Sequence, residues 1–439
     1  NRISKTVLVI DEAQDMSSEE YALVSALMKA NEEMRVIAVG DDDQNIYEFR
    51  GSDSRYMKQL LLDTNGRFVE MTENYRSSKL IVAFANAFAV GINRRMKSTA
   101  IHSMSSENGE VRVIHHSSQF MYQPVVEDVL KSRGNGSVCV LTQTNEEAVI
   151  LVALFRKYGL KSKLIQSMDG FKFWKMAEVR FFLKQIDKLT NSPFITERLW
   201  EKAKAKTFDT YSTSTSLSYL KHCIELYEQT NNTRHINDFK EFVYESSVED
   251  YCDISGADIV VSTIHKSKGR EFDNVYMLIA NVHDISDEQL RKYYVGMTRA
   301  KKQLSIHTNS SIFDKLPTNI HLVVHKQFDL PSEIVLQLSH KDVNLDFFMS
   351  RKSDILALRA GNHLQYKDNY LFYMKADKQT AVAKLSQKMQ TDLSSWQDKN
   401  YYVADALVRF IVSWKPQNAP KEAPEYAVLL ADLKLIKRS

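Results

Sequence analysis

Two acidic clusters near the start of the sequence each follow a run of residues that is typical of a buried strand. Asp11 and Glu12 come directly after residues 6–10 (TVLVI), and the three aspartates at 41–43 follow a second strand pattern closed by Gly40. In nucleotide-hydrolysing sites, one carboxylate holds Mg²⁺ while its neighbour orients or deprotonates the attacking water. The first pair therefore indicates nucleotide hydrolysis, although for one short motif alone a polar entry to a helix is the more common explanation.

The loop after the second cluster alternates polar and aromatic residues. Tyr47 and Phe49 lie in this loop, and each ring could stack on an unpaired base, an interaction worth about 1 to 3 kcal/mol per base. A loop of this composition can face a nucleotide and a nucleic acid at once. The alternative is that both rings are buried in the core, and the sequence leaves it open.

Strand and helix patterns alternate along the first part of the chain, which predicts the α/β class with doubly wound parallel sheets. Ser17 and Glu20 have the spacing of a capping box and predict the start of a helix, which a strand over residues 35–39 follows. Further predicted elements are strands at 111–114, 138–141, 258–264, 274–279 and 303–307, and helices after Ser77, over 145–158 and up to Arg299. Ligands of such sheets bind beyond the carboxyl ends of the strands, where both acidic clusters fall.

The composition is that of an ordinary folded protein, with 44% hydrophobic and 26% charged residues. The net charge is only +3, so a surface for a phosphate-rich partner must be a local stripe. Cys139, Cys223 and Cys252 are far apart, which favours a reduced intracellular protein over a disulfide or zinc framework. No apolar run approaches the roughly 20 residues of a membrane span, and no secretory pattern opens the sequence. We therefore expect a soluble, cytoplasmic protein.

Five ordered motifs resemble those of the UvrD/Rep branch of superfamily-one DNA helicases. The family pattern reads DE-x-QD, GD-x-x-Q-x-IY-x-(aromatic)-RG, NYRS, T-x-H-x-x-KG-x-EF and YVG-x-TRA. The matching segments are DEAQD at 11–15, GDDDQNIYEFRG at 40–51, NYRS at 74–77, TIHKSKGREF at 263–272 and YVGMTRA at 294–300. A weaker match, DGFKFW at 169–174 with Glu178, resembles the family's GG-x-x-FF-x-x-x-E segment. The resemblance covers residues 1 to about 310.

This resemblance implies roles around a bound ATP, with ATP and Mg²⁺ as the cofactors. Asp11 would carry Mg²⁺, Glu12 would be the hydrolytic base, and Gln44 would sense the γ-phosphate. Tyr75 would stack on the adenine. Arg76 and Arg299 would be arginine fingers that contact the transferring phosphoryl group. Glu271, beside Gly269, would contact the ribose.

The resemblance also implies a path for single-stranded DNA, as in a 3′-tailed duplex. Thr263 and His265 would touch the DNA backbone, Tyr47 would serve as an aromatic platform together with Phe49, and Arg50 would brace the two lobes. ATP bound to one lobe would be contacted by arginines of the other lobe. Binding would therefore close the cleft between the lobes, and hydrolysis would reopen it. The implied activity is 3′ to 5′ movement by a helicase or translocase in DNA repair or replication.

At 439 residues the chain is too long for one core, and two to four domains are expected. The motifs predict RecA-like motor lobes, namely a partial first lobe over residues 1–73 and a second lobe over 74–190 and 251–328. Residues 191–250 are predicted to be a helical insertion. Because this insertion is shorter than the family's accessory subdomain, translocation is a safer inference than processive unwinding.

Residues 329–439 are predicted to form an appended domain with an α+β or small-barrel fold. Its predicted elements are strands at 370–374 and 427–430 and a helix over 380–393. We interpret Tyr401, Tyr402 and Trp414 as core residues rather than as an exposed nucleic-acid platform. A role in docking a protein partner is equally open.

The sequence contains no G-x-x-x-x-G-K-[ST] loop, which in the family cradles the phosphates and precedes the DEAQD motif. The chain starts at Asn1 without an initiator methionine and is within a predicted strand by Thr6. We therefore expect a fragment that lacks about half of the first lobe and exposes the edge of a parallel sheet. By itself this fragment should not hydrolyse ATP.

Two other functions compete with the motor hypothesis. The chain could be a catalytically silent module that keeps helicase lobes to bind nucleic acid or a protein, but the joint presence of Glu12, Gln44, Arg76 and Arg299 argues against it. A helicase-nuclease ranks lower because no clear nuclease cluster of carboxylates with a lysine follows the motor motifs. RNA as the substrate stays open.

Overall fold

The computed structural model divides the chain into two compact units, each built from two stretches of sequence. Unit 1 comprises Asn1–Leu164 and Ala257–Asp329, and unit 2 comprises Ile165–Gly256 and Leu330–Ser439. All five helicase-like motifs fall in unit 1, whereas the whole predicted insertion and all of the appended domain except Asp329 fall in unit 2. The predicted boundaries of the lobes, insertion and appended domain stay predictions.

The structure describes most of the chain. The described residues are 6–31, 33–48, 51–117, 121–165, 171–189, 192–231, 233–251, 256–282, 285–317, 319–323, 330–375, 378–416, 419–420 and 422–438. Phe49 and Arg50, and Asp169 and Gly170 of the weaker motif, lie outside the described residues. Among the residues it does describe, no helix is long and apolar enough to cross a membrane.

The strands belong to parallel sheets in unit 1 and to an antiparallel sheet in unit 2. The strands of unit 1 are β1 (Val7–Ile10), β2 (Arg35–Ala38), β3 (Glu73–Asn74), β4 (His102–Ser103), β5 (Glu110–His116), β6 (Val138–Thr142), β7 (Ser162–Leu164), β8 (Ile259–Thr263), β9 (Phe272–Ile279), β10 (Ala300–Thr308) and β11 (Asn319–Val323). The strands of unit 2 are β12 (Glu333–Gln337), β13 (His363–Lys367), β14 (Tyr370–Lys375), β15 (Lys378–Lys384), β16 (Tyr401–Trp414) and β17 (Tyr426–Lys437).

The helices alternate with strands in unit 1 and cluster in unit 2. In chain order they are α1 (Ser18–Ala30), α2 (Arg55–Asp63), α3 (Lys79–Ala89), α4 (Tyr122–Ser132), α5 (Asn145–Lys157), α6 (Ala177–Leu189), α7 (Glu197–Thr210), α8 (Leu217–Thr230), α9 (Ile236–Glu245), α10 (Asp287–Met297), α11 (Lys352–Leu356) and α12 (Gln387–Asp398). The capping box predicted for α1 is present, since Ser17 and Glu20 each accept a hydrogen bond from the other's backbone N–H.

A seven-stranded parallel sheet organises unit 1, with the strand order β11-β5-β10-β9-β6-β8-β7. Helices α3 and α10 pack against each other and against β10, whereas α4 and α5 pack against each other and against β9 and β6 respectively. All five residues of β6 are buried, as expected for a central parallel strand covered on both faces. The predicted α/β fold with a doubly wound parallel sheet is confirmed.

A separate two-stranded parallel sheet, β1 with β2, carries the first two motifs. Ala13, Met16 and Leu60 form its small buried cluster. Val7 and Val9 are 47% and 61% exposed. The prediction of a buried strand at this position was therefore wrong, because in this structure the alternate side chains of β1 face solvent.

Unit 2 combines a helical cluster with an antiparallel sheet in the order β12-β17-β16-β13-β14-β15. Trp200 is fully buried between helices, with its ring centroid 5.2 Å from Phe182 and 5.0 Å from Phe239. Helix α6 packs against β16, so the helices and the sheet share a core. This open strand order corresponds to the α+β alternative predicted for residues 329–439.

Two predictions for the appended domain were wrong in detail. The helix predicted over 380–393 is instead β15 followed by α12, which begins after Ser386 because the Ser386 side chain accepts a hydrogen bond from the Met389 N–H. The strand predicted at 427–430 is present, but it is only the first part of the longer β17, which continues to Lys437. Tyr401 is buried as predicted, whereas Tyr402 and Trp414 are only half-buried.

Candidate functional site

Asp11 and Glu12 lie directly beyond the carboxyl end of β1, and both side chains are exposed. Glu12 has a left-handed backbone (φ 48°), which is uncommon for a residue with a Cβ and turns the chain sharply at the strand end. Its N–H donates a hydrogen bond of 2.9 Å to Asp11 Oδ1. The side-chain amide of Gln14 donates to Glu12 Oε2 over 2.5 Å. The two carboxylates are therefore fixed as a pair facing solvent.

Gln14 ties the two acidic motifs together. Its Oε1 accepts the Asp41 N–H over 3.0 Å while its amide nitrogen holds Glu12. The approach is so close that a Cβ on Gly40 would lie 2.4 Å from Gln14 Oε1. Glycine is therefore required at position 40 because of space.

The aspartates at 41–43 form the one group of three acidic side chains in the described ranges whose oxygens come close enough to share a cation. Basic side chains pair with two of them, Asp41 and Asp43, whereas Asp42 accepts a hydrogen bond of 2.6 Å from the Met96 backbone N–H. Asp43 is fully buried and accepts two hydrogen bonds from Arg95, at 2.8 and 2.7 Å, and Lys97 Nζ lies 2.9 Å from it. Burial alone would raise the pKa of Asp43, but Arg95 and Lys97 bring it below its ordinary value. Asp41 and Asp43 therefore belong to an ion-pair network with Arg95 and Lys97.

Gln44 and Arg299 meet across unit 1. A guanidinium nitrogen of Arg299 donates to Gln44 Oε1 over 2.8 Å, and Gln44 Nε2 donates to Asp41 Oδ2 over 3.0 Å. Arg299 follows α10 and is only 2% exposed. Burial and then the neighbouring charge of Arg76 lower the pKa of Arg299 to about 10. A buried arginine of this kind is strongly attracted to any negative charge brought to it.

Lys268 connects the loop after β8 to both acidic motifs. Its Nζ lies 3.3 Å from Glu12 Oε2, donates a hydrogen bond to Asp15, and reaches the Gln44 carbonyl oxygen at 3.4 Å. The same ammonium lies 5.1 Å from the centroid of the Tyr47 ring. Desolvation raises the pKa of Asp15 above its ordinary value although its hydrogen bond with Lys268 opposes this shift.

A second ion-pair group surrounds Glu271. Arg76 Nε donates to Glu271 Oε1, and Lys301 Nζ lies 3.0 Å from Glu271 Oε2. Partial burial alone would raise the pKa of Glu271, but Lys301 and Arg76 lower it below its ordinary value. Tyr75 is 75% exposed, so its ring is accessible to a planar ligand. Gly269 has φ +81°, a conformation that only glycine adopts readily.

Comparison with known protein families shows to which family the chain belongs. The model of the UvrD/REP helicase N-terminal domain matches residues 2–65, and the model of the UvrD-like helicase C-terminal domain matches residues 69–196 and 193–311. The chain belongs to the UvrD-like helicase family.

Curated relatives of this helicase chain carry helicase names. The ATP-dependent DNA helicase PcrA of Staphylococcus epidermidis is 26% identical over 189 residues, which are 42% of this chain and 25% of that protein. PcrA of Staphylococcus aureus is 28% identical over 194 residues. The ATP-dependent DNA helicase Rep of Buchnera aphidicola is 22% identical over 468 residues, covering 81% of this chain and 70% of that protein. The matched region thus spans about a quarter of the PcrA relatives.

A solved structure is also similar to this chain: the C-terminal domain of a possible DNA helicase from Lactobacillus plantarum. The match has 12% sequence identity and a TM-score of 0.29, and it covers 57% of this chain and 98% of that one.

The residues predicted to contact DNA in this helicase chain lie at the carboxyl end of β8 and in the loop of the second motif. Thr263 ends β8 and is only 7% exposed, and His265 begins the 3-10 turn that follows. Tyr47 is half-buried beneath Lys268, and Phe49 lies outside the described residues. Their predicted contacts with DNA stay predictions.

The structure adds four polar residues that the sequence predictions did not assign to the helicase site. Gln14 and Lys268 lie within two of the helicase-like motifs, and this position was a signal that they belong to the site. The sequence did not indicate which residues they would contact. Arg95 and Lys97 lie between motifs, in a segment rich in basic residues (NRRMK at 93–97). The signal available for them was this local excess of positive charge, together with the acidic residues at 41–43, which have no basic neighbours in the sequence.

Proposed function

We propose that this chain is part of an ATP-driven motor that moves along single-stranded DNA in the 3′ to 5′ direction. The observation that carries the proposal is the contact between Arg299 and Gln44. A buried arginine with a lowered pKa lies against the polar residue that the family places at the γ-phosphate, and the charge of Glu12, from the exposed Asp11–Glu12 pair, acts on the same arginine. This is the arrangement that phosphoryl transfer needs, with an arginine opposite a carboxylate pair.

The residues at the end of β1 fit a magnesium-dependent hydrolysis. Asp11 is an exposed carboxylate, the ligand type that Mg²⁺ prefers. When bound there, Mg²⁺ would neutralise charge on the phosphates of ATP. Glu12 would accept a proton from the attacking water, held for this by the Gln14 amide. Arg299 and Arg76 would neutralise the phosphoryl group from the opposite side, and Tyr75 and Glu271 would hold the adenine and ribose.

Coupling to DNA would use the contacts that join the first motifs to α10. Besides Gln44 with Arg299, Arg291 lies 3.1 Å from Glu48 Oε1. Glu48 directly follows Tyr47, so movement of α10 would also move the Tyr47 ring along a strand. Thr263 and His265 would hold the phosphodiester backbone on the second lobe. The proposed setting is DNA repair or replication on 3′-tailed duplexes.

The proposal is tested by measuring ATP hydrolysis by the full-length gene product while single-stranded DNA is titrated in. Glu12→Gln should abolish DNA-stimulated turnover, while Glu241→Gln, which changes an exposed glutamate of α9, should leave it unchanged. We expect the chain alone to be inactive. A full-length protein that binds DNA but shows no turnover would overturn the motor and support a silent binding module.

A further inference from the structure

A groove of about 490 Å³ lies within unit 2, a size typical of sites that bury small ligands. One wall is a face of α6 that carries Ala177, Arg180, Phe181 and Lys184, residues whose spacing places them on one side of the helix. The opposite wall is formed where β16 ends and β17 begins. The five strong helicase-like motifs do not contribute to this lining, whereas the weaker segment at 169–174 contributes Trp174.

The groove is rich in aromatic side chains. Trp174 and Tyr244 lie at one end with their ring centroids 5.2 Å apart, and Phe181 packs on Tyr211 at 5.5 Å. Tyr244 is 47% exposed although it is a large apolar residue. Rings that line a concave surface and remain accessible are suited to stacking on a planar ligand.

The charged residues in the lining give the groove an excess of positive charge. Glu425 is paired with Arg180 and Lys175, with Lys175 Nζ at 2.9 Å, and accepts a further hydrogen bond from Ser413. Lys184 and Lys352 add two further positive charges, whereas Asp187 is paired with Lys240 over 2.7 Å. The groove therefore contains more basic side chains than its own acidic side chains neutralise, and the remaining basic groups can bind an anionic ligand.

We propose that this groove binds a segment of single-stranded nucleic acid, with a base against the Trp174–Tyr244 end and a phosphate at Lys184. Accessible rings combined with cations are the two features that hold a single strand without sequence readout. An apolar peptide would leave the cations without partners, and an inorganic anion would not use the rings. The site is independent of the proposed motor, since it uses no residue assigned to ATP or to the DNA path in unit 1.

Photo-crosslinking locates the site directly. The full chain carrying Tyr47→Ala and His265→Ala, which weaken the proposed motor contacts, is irradiated with an oligothymidylate that contains 5-iododeoxyuridine. We expect adducts on peptides that contain Trp174 or Tyr244. Adducts confined to other parts of unit 2 would overturn the proposal, whatever the ATPase measurement shows.

Binding of the fluorescein-labelled oligonucleotide, measured by anisotropy in the same background, tests the charges. Lys184→Glu should weaken binding about tenfold, and Lys184→Gln should reduce the slope of log K against log [salt] by about 0.7. Lys206→Glu is the control, because Lys206 is an exposed lysine of α7 outside the groove lining. Equal losses for Lys184→Glu and Lys206→Glu would show general attraction only and would contradict the proposal.

The aromatic contribution is tested with a conservative pair of variants. Tyr244→Ala should weaken binding on the order of tenfold, whereas Tyr244→Phe should retain it because stacking needs the ring and not the hydroxyl. Thermal unfolding of each variant shows whether the fold is intact. Displacement of the oligonucleotide by an oligoglutamate peptide at equal charge concentration would show that the groove binds negative charge alone, and the nucleic-acid proposal would then be wrong.

Discussion

The guanidinium of Arg299 lies 2.8 Å from the side-chain oxygen of Gln44, although the two residues are 255 positions apart in the chain. Arg299 is 2% exposed and has a pKa lowered to about 10 by burial and by the charge of Arg76. A buried cation held by a neutral amide is incompletely compensated. The γ-phosphate of ATP would supply the negative charge that this pair lacks.

Substitution of this arginine should abolish turnover with little effect on DNA binding. For Arg299→Lys in the full-length protein we expect kcat for DNA-stimulated ATP hydrolysis to fall about 10³-fold, because arginine fingers stabilise the transition state by that order. Lysine keeps the charge but not the forked geometry. The measurement is steady-state ATPase with saturating single-stranded DNA.

Arg198→Lys serves as the control, since it changes an exposed arginine in α7. Its kcat should equal that of the unmodified protein. An Arg299→Lys protein that keeps more than about a tenth of the normal kcat would contradict the role of an arginine finger.

Asp43 should be essential to folding rather than to metal binding. Asp43→Asn leaves Arg95 and Lys97 without their buried anionic partner, and loss of one member of a buried pair costs about 3 kcal/mol of unfolding free energy. Urea unfolding of the chain measures this loss. Asp53→Asn, which breaks the exposed pair with Arg55, should cost less than about 1 kcal/mol. Equal losses of unfolding free energy for the two substitutions would contradict a stabilising ion-pair network at Asp43.

Most of the fold of unit 1 could be predicted because the central strands of its seven-stranded sheet, such as β6 and β8, are buried on both faces and therefore appear as apolar runs. Strand β6 extends one residue beyond its prediction, and α5 ends one residue before its predicted end. In unit 2 the pattern was weaker. Residues 378–384 do not alternate as a half-buried strand does, since Val382 and Ala383 are both buried, and the prediction also missed the Ser386 cap that separates this strand from α12.

The site could be predicted only as far as the motif residues themselves. Asp11 and Gln44 lie beyond the carboxyl ends of β1 and β2, as expected for a parallel sheet, whereas Arg299 lies between α10 and the start of β10 and contacts Gln44. The partners of Asp43 could not be found this way, since Arg95 lies 52 positions further along the chain and the pairing depends on tertiary approach. The contacts of Lys268 with Glu12, Asp15 and Gln44 likewise could not be predicted, because they depend on how the loop after β8 approaches the first two motifs.

Gly40 should tolerate no side chain. A Cβ there would lie 2.4 Å from Gln14 Oε1 and 3.0 Å from the Ala13 backbone nitrogen. Gly40→Ala should therefore displace Gln14, release Glu12 and cost about 1 to 3 kcal/mol in unfolding free energy. ATPase of the full-length variant should fall at the same time.

Gly91→Ala is the control for this prediction, because the nearest atom to its Cβ, the Phe88 carbonyl oxygen, is 3.4 Å away. It should retain both stability and activity to within experimental error. A Gly40→Ala protein with a normal unfolding midpoint and normal turnover would show that Gln14 can move without consequence.

Glu425 should make the stability of the chain depend on pH in the acidic range. Partial burial alone would raise the pKa of Glu425, but Lys175, Ser413 and Arg180 lower it to about 2. Since this pKa is lower in the folded chain than in the unfolded one, the stabilisation is complete above the ordinary pKa of a glutamate. It is lost progressively as the pH falls from about 5 to about 2.

The unfolding midpoint in urea, measured across this range for the unmodified chain and for Glu425→Gln, tests the pH dependence. The difference in stability between the two should be largest above about pH 5 and should shrink as the pH falls, because the unmodified side chain is then protonated and resembles glutamine. Glu422→Gln, which changes an exposed glutamate three positions away, should show no such trend. A difference for Glu425→Gln that stays constant with pH would mean that packing, and not the charge of the carboxylate, explains the loss.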